Sequence, residues 1–169
     1  MHDWIMALDG VVALLALGAI AFGDALVGLN AFVIGEVAFL AAGAIAGSGG
    51  SLVPVVVVFC AAWSGDLISY WIGRTYGPEL RRYLLVRRST RKALRQGEYL
   101  ISKHGVPFII AARLLGPVAW VAPFLAGTAR MKLLGFVPAS AMGVCLGVGQ
   151  FVFYGFIGSD LLSLGFEYV

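Results

Sequence analysis

The sequence predicts an all-α membrane protein: spanning helices plus two oppositely oriented re-entrant helical hairpins that form an inverted repeat. Three observations lead there. The 169 residues are 60% hydrophobic and 12% charged, with a mean hydropathy of +0.93, which leaves too little polar surface to cover a soluble domain. Mostly apolar stretches, Trp4 to Phe22, Leu52 to Trp71 and Leu133 to Ile157, approach or reach the roughly 20 residues a helix needs to cross hydrocarbon. Two further apolar stretches are cut by helix breakers into halves too short to cross singly, as in segments that enter a membrane and turn back.

Residues 1–22 form the first helix. They open with His2 and Asp3 rather than a basic region, and no A-x-A-like site follows, so the segment reads as a retained helix and not a cleavable signal. Residues 23–50 form the first hairpin: an apolar stretch after Gly23-Asp24 is broken at Gly28, Asn30 and Gly35. Glu36 and a small-residue run to Gly47 follow, and the turn Gly47-Ser48-Gly49-Gly50 closes the unit. Residues 52–76 span, carrying Gly65-Asp66 and emerging at Gly73-Arg74. Residues 77–104 make a cytoplasmic amphipathic segment, in which Ser89 caps a second short helix over Thr90 to Lys103, weakened at Gly97 and ended at Gly105. Residues 105–130 form the second hairpin, interrupted at Gly116-Pro117 and Pro123 and containing Arg113. Residues 133–158 make the last crossing, with Phe151, Phe153 and Tyr154 as interface anchors. The whole chain, 1–169, is one membrane domain.

All twelve Lys and Arg residues fall between Arg74 and Lys132, whereas seven of the nine acids lie outside that window. By the positive-inside rule the segment 74–103 faces the cytoplasm of a cell membrane. The basic run is flanked by membrane segments and interleaved with Leu80, Tyr83, Leu84, Leu94, Leu100 and Ile101. A helix lying on an anionic leaflet, or a solvated loop that sets topology, accounts for it better than nucleic-acid binding.

Shifting the chain by 85 residues aligns Phe39-Leu40-Ala41 with Phe124-Leu125-Ala126, Cys60 with Cys145, and Ile72-Gly73 with Ile157-Gly158. Over positions 24 to 75 there are ten identities in fifty-two pairs, about twice what so biased a composition gives by chance, as in a diverged repeat. An odd number of passes between the copies places them in opposite orientations. Substrate sites in that architecture form between broken helices near the midplane.

A charge in hydrocarbon costs several kcal/mol at least, roughly, unless it finds a partner, a proton or water. Asp24, Glu36, Asp66 and Arg113 are therefore the candidates for function, with buried ion pairs that merely hold the fold as the plainer explanation. Asp66, in a continuous helix, is expected to partner Arg113 or Arg74. His104 at the membrane edge reads as a polar anchor or a pH-sensitive group, and Trp63, Trp71 and Trp120 as packing or interface residues. Cys60 and Cys145 sit in apolar runs and imply no disulfide. No CxxC, HExxH or GxSxG occurs, so neither a metal site, a cofactor nor an enzymatic activity is implied.

The order of these residues resembles the DedA family, also called the VTT or SNARE-associated domain family. Asp24 and Glu36, with Gly35 before the second acid and Ala42-Gly43 after it, are similar to its first acidic signature. Gly65-Asp66-x3-Tyr70-x2-Gly73-Arg74-x2-Gly77 is similar to its Gly-Asp-Tyr-Gly-Arg-Gly element. Lys103-His104-Gly105, Arg113, and Pro123-x2-Ala126-Gly127-x3-Met131-x4-Phe136 resemble its second half. The family pattern runs Arg, aromatic, x, Pro and a second Arg; here Leu114 follows Arg113, Gly116-Pro117 is shifted, and Ala119 stands at the second position.

The resemblance implies a translocase that moves a lipid-phosphate headgroup, of polyprenyl phosphate or phospholipid, across the bilayer with dependence on the proton gradient. Arg113, with the Gly116-Pro117 break, then binds the substrate, Asp24 and Glu36 couple protons, and Asp66 and Arg74 form structural ion pairs. Membrane lipid and protons are the expected partners, nucleic acid is not, and the Gly143, Gly147 and Gly149 face permits an oligomer. A proton-coupled exporter of small cations or drugs, and a non-transporting scaffold for envelope maintenance, remain the alternatives.

Overall fold

A computed structural model describes residues 2–29, 32–84, 96–97, 99–114 and 117–166. Among the described residues the architecture is carried by α1 (His2–Ala25), α2 (Gly35–Gly47), α3 (Val53–Leu84), α4 (Val106–Ala112), α5 (Pro117–Thr128) and α6 (Leu133–Phe166). Residues 99–104 are also helical, and the described residues contain no strand. Val53–Gly77 of α3 and Leu133–Ser159 of α6 are long and apolar enough to cross a bilayer, while Gly10–Ala25 and Gly35–Gly47 are shorter apolar helices. The outer surface presents Val11, Leu15, Phe32, Val56, Leu134 and Phe153, the surface expected where lipid replaces water as solvent.

Close backbone approaches fix the directions of the helices. Gly18 lies against Val57, and Gly65 against Phe22 and Ala25, so α1 and α3 run side by side in the same sense. Ser140 of α6 meets Asp66 of α3, and Gly149 faces Phe59, so α6 runs opposite to α3. The short helices cross over: α2 packs on α6, where Gly43 lies against Val152 and Gly155 against Leu40. In turn α5 packs on α3, where Gly73 lies against Phe124 and Gly77 against Thr128. At Gly43, Gly73 and Gly155 any Cβ would collide with a facing carbonyl, and at Gly77 with Thr128, so glycine is what lets these helices approach closely.

Val106 at the start of α4 and Met131 just beyond α5 both lie beside Gly135. The outer ends of the two helices are therefore together, and the connection between them, at Arg113, lies deeper, beside Gly143 and Gly147. The turn from α5 to α6 is closed by Arg130 N–H to Gly127 O at 3.0 Å and Met131 N–H to Ala126 O at 3.0 Å. Tyr70 reinforces it, its hydroxyl donating to Met131 O at 2.5 Å and its ring stacking on Phe136 at 4.5 Å.

Several boundaries differ from those expected. Helix α1 runs through Gly23 and Asp24 to Ala25, so Asp24 ends a long helix instead of opening a hairpin. Within residues 23–50, residues 23–25 finish α1 and Gly35–Gly47 form α2; residues 26–29 turn, with Gly28 at φ +95°, a conformation that favours glycine. Helix α3 continues to Leu84, because Leu80, Arg81, Arg82 and Leu84 are good helix formers and neither Gly73 nor Gly77 faces water; α6 continues to Phe166. Gly105, at φ +52°, ends the preceding helical turn with its N–H on Ile101 O at 2.8 Å. Ile101 is buried with Leu125 and Tyr70, so this part of the segment 77–104 belongs to the packed body. Phe151 likewise packs on Phe39, ring centroids 6.4 Å apart, whereas Phe153 and Tyr154 are exposed. The expected break at Asn30, the cap at Ser89 and the start of its helix at Thr90 lie outside the described residues.

Candidate functional site

Two apolar clusters make up the interior. One joins Tyr70, Ile109, Phe124, Leu125 and Phe136 across α3, α4, α5 and α6. The other joins Ala21, Phe39, Val58, Ala62, Val144 and Val148 across α1, α2, α3 and α6. Asp66 falls between Ala62 and Tyr70 along α3, and Ser140 between Phe136 and Val144 along α6, so a polar layer separates the two clusters.

Arg113, at the inner end of α4, forms a salt bridge with Asp66 through Nη2 and Oδ1. The arginine side chain is 10% exposed and the aspartate 1%. The other carboxylate oxygen accepts from Ser140 Oγ at 2.6 Å. Opposite charges and the hydrogen bond from Ser140 offset the cost of removing a carboxylate and a guanidinium from water. The arginine stem is seated by glycine: a Cβ at Gly143 would meet Arg113 Cγ at 2.8 Å, and one at Gly147 would touch Arg113 Cβ and O at 3.5 Å. The glycine face of α6 thus seats a charged side chain within the chain itself.

Asp24 is half-buried and accepts from Gly35 N–H at 3.2 Å, which ties the end of α1 to the start of α2. The charges of Arg113, Glu36 and Asp66 all bear on it. Ser69 adds a second tie: its Oγ accepts from Val27 N–H at 2.9 Å and donates to Ala25 O at 3.1 Å. The turn after α1 and the turn after α4 consequently arrive at the same layer from opposite ends of the helical body.

The remaining candidates lie elsewhere. Glu36, in the first turn of α2, is exposed among the exposed apolar residues Phe32, Ile34 and Val37. Arg74 is not paired with Asp66: it donates to Tyr70 Oη at 2.8 Å and to Met131 O at 3.3 Å, at the outer end of α5. Pro117 is the first residue of α5, and Gly116 lies outside the described residues. His104 is exposed. Sequence reasoning missed Ser140 and Ser69, because a serine in an apolar helix gives no sign of which distant group it meets. No group of His, Cys, Asp or Glu among the described residues is arranged to hold a metal ion.

Mostly helical in its described residues, apolar outside and charged at an internal layer where short helices end, the chain is a membrane protein. It belongs to the VTT-domain family, the family of the DedA membrane proteins: the VTT domain matches residues 32–157. Among named relatives it is similar to Protein DedA of Escherichia coli (strain K12), 33% identical over 102 residues, covering 60% of this chain and 47% of that protein. It is also similar to Inner membrane protein YabI of the same organism, 26% identical over 144 residues, covering 80% of this chain and 54% of that protein. Uncharacterized membrane protein BU139 of Buchnera aphidicola subsp. Acyrthosiphon pisum (strain APS) is 26% identical over 168 residues, 93% of this chain and 63% of that protein. The chain thus spans about half the length of the first two relatives. No solved structure matches it.

Proposed function

We propose that the protein is a membrane translocase that carries a lipid-phosphate headgroup, of polyprenyl phosphate or phospholipid, across the bilayer with coupling to the proton gradient. The observation that carries this reading is Arg113, a guanidinium kept in an apolar interior at the break between two short helices. A phosphate crossing hydrocarbon exchanges its water for fixed donors, and a guanidinium offers them in a fork that matches two phosphate oxygens. Without substrate, Asp66 and Ser140 hold Arg113 in place; the headgroup then takes the position Asp66 occupies. The start of α5 at Pro117, four residues after Arg113, adds helix N–H groups.

Asp24 and Glu36 are the proton carriers in this reading. Glu36 lies at the outer face and Asp24 nearer the ion pair, which makes a two-step path inward. One proton crossing 100 mV supplies roughly 2.3 kcal/mol, enough to bias a flip. Two hairpins of opposite sense form the device, α4 with α5 and the end of α1 with α2, and they make an inverted repeat. The reciprocal packing of α2 on α6 and α5 on α3 supports this, since helices of one copy rest on the long helix of the other. The basic segment 74–103 faces the cytoplasm of the inner or plasma membrane, in keeping with its charge bias.

The test is the charge-balanced double variant Asp66→Asn/Arg113→Gln in liposomes containing a traced lipid phosphate. The reading expects it to express and fold while translocation falls to the rate of protein-free vesicles. A rate equal to wild type would refute the assignment and favour a scaffold, since a balanced pair is replaceable where it is only structural. Competition by soluble phosphate analogues separates an anion site from one for exported cations.

A further inference from the structure

Trp63 precedes Asp66 by three residues on α3, which places both on one helical face about a turn apart. Its ring packs into the cluster that holds Val58, Ala62, Val144 and Val148. Gly143 and Gly147, which seat Arg113, immediately precede those two valines on α6. The antiparallel register of α3 and α6, Ser140 against Asp66 and Gly149 against Phe59, puts Trp63 at about the height of the arginine stem. Its Nε1 is buried and has no hydrogen-bond partner among the described residues.

A buried donor without an acceptor is uncommon and destabilising, and asks for an explanation. Packing does not supply one, because a phenylalanine fills much of the same space with no N–H to satisfy. An indole nitrogen donates and cannot accept, so whatever completes it presents an acceptor; a cation cannot. We infer that the Trp63 indole N–H is a specificity-determining donor, taking one oxygen of the anionic headgroup that Arg113 binds. This rests on the lipid-phosphate reading above and sharpens it, since Trp63 and Arg113 together select an oxyanion over an ammonium headgroup.

The wild-type protein in detergent micelles, labelled with ¹⁵N, gives one indole resonance from each of Trp4, Trp63, Trp71 and Trp120. Single replacements of the other three by Phe identify that of Trp63. Dodecyl phosphate is expected to move the Trp63 resonance downfield, and dodecyltrimethylammonium is expected to leave it in place. In vesicles, Trp63→Phe is expected to raise the half-saturating lipid-phosphate concentration about tenfold with the maximal rate kept within about twofold, and Trp71→Phe to change neither. No shift, or the same shift with both amphiphiles, overturns the inference whatever the transport result; a trapped water on Nε1 gives that outcome. If the shift is specific to dodecyl phosphate while wild-type vesicles move no lipid phosphate, the donor stands and the translocase reading falls.

Discussion

Arg113 can occupy the interior because Asp66 meets it there, and Asp66 is in turn held by the Ser140 hydroxyl. Removing one partner of a buried pair leaves an uncompensated charge, at a cost of about 3–5 kcal/mol. Asp66→Ala is therefore expected to lower stability by about that amount, and Asp66→Ala/Arg113→Ala by clearly less than the sum of the two single losses. Unfolding measurements in detergent check this; losses that simply add would mean that the two side chains do not rely on each other. The sequence marked these charges as anomalous in an apolar chain, but it left Asp66 free to pair with either Arg113 or Arg74. Geometry decides. Arg74 lies two turns farther along α3, where Tyr70 and the Met131 carbonyl occupy it.

At the level of elements, the face of α6 around Gly143 and Gly147 acts as a seat. Small residues on a membrane helix permit either contact between chains or close contact within one; here the neighbour is the stem of Arg113. Gly143→Ala sets a methyl against Arg113 Cγ and is expected to reduce translocation several-fold while expression is retained. Gly149→Ala is the matched control, since its Cβ finds only Phe59 at an ordinary 3.8 Å; it is expected to be neutral, or slightly stabilising through the better helix propensity of alanine. Equal behaviour of the two in the vesicle assay would remove the seat from the account. The element pattern was legible from hydropathy and helix breakers: the two long spans, the short α2, and the break between α4 and α5. The ends were not. Gly23, Gly73 and Gly77 look like breakers in sequence, yet each lies within a helix, and at Gly73 and Gly77 a neighbouring helix needs the missing side chain.

On the scale of the whole molecule, two turns reach one polar layer from opposite ends, with an apolar cluster on either side of it. Its main contacts, α2 on α6 and α5 on α3, join parts of the chain far apart in sequence; in the proposed repeat these run between the copies. Pairs so distant in sequence leave no local pattern. The exposure of Glu36 and the burial of Ile101 were hidden for the same reason, since each depends on which distant helix covers that face. The most direct measurement is the rate at which a trace lipid phosphate changes leaflet in vesicles reconstituted with the wild-type chain, with and without an imposed pH gradient. The account predicts exchange well above that of protein-free vesicles, accelerated when the gradient is imposed; exchange no faster than in protein-free vesicles would contradict it.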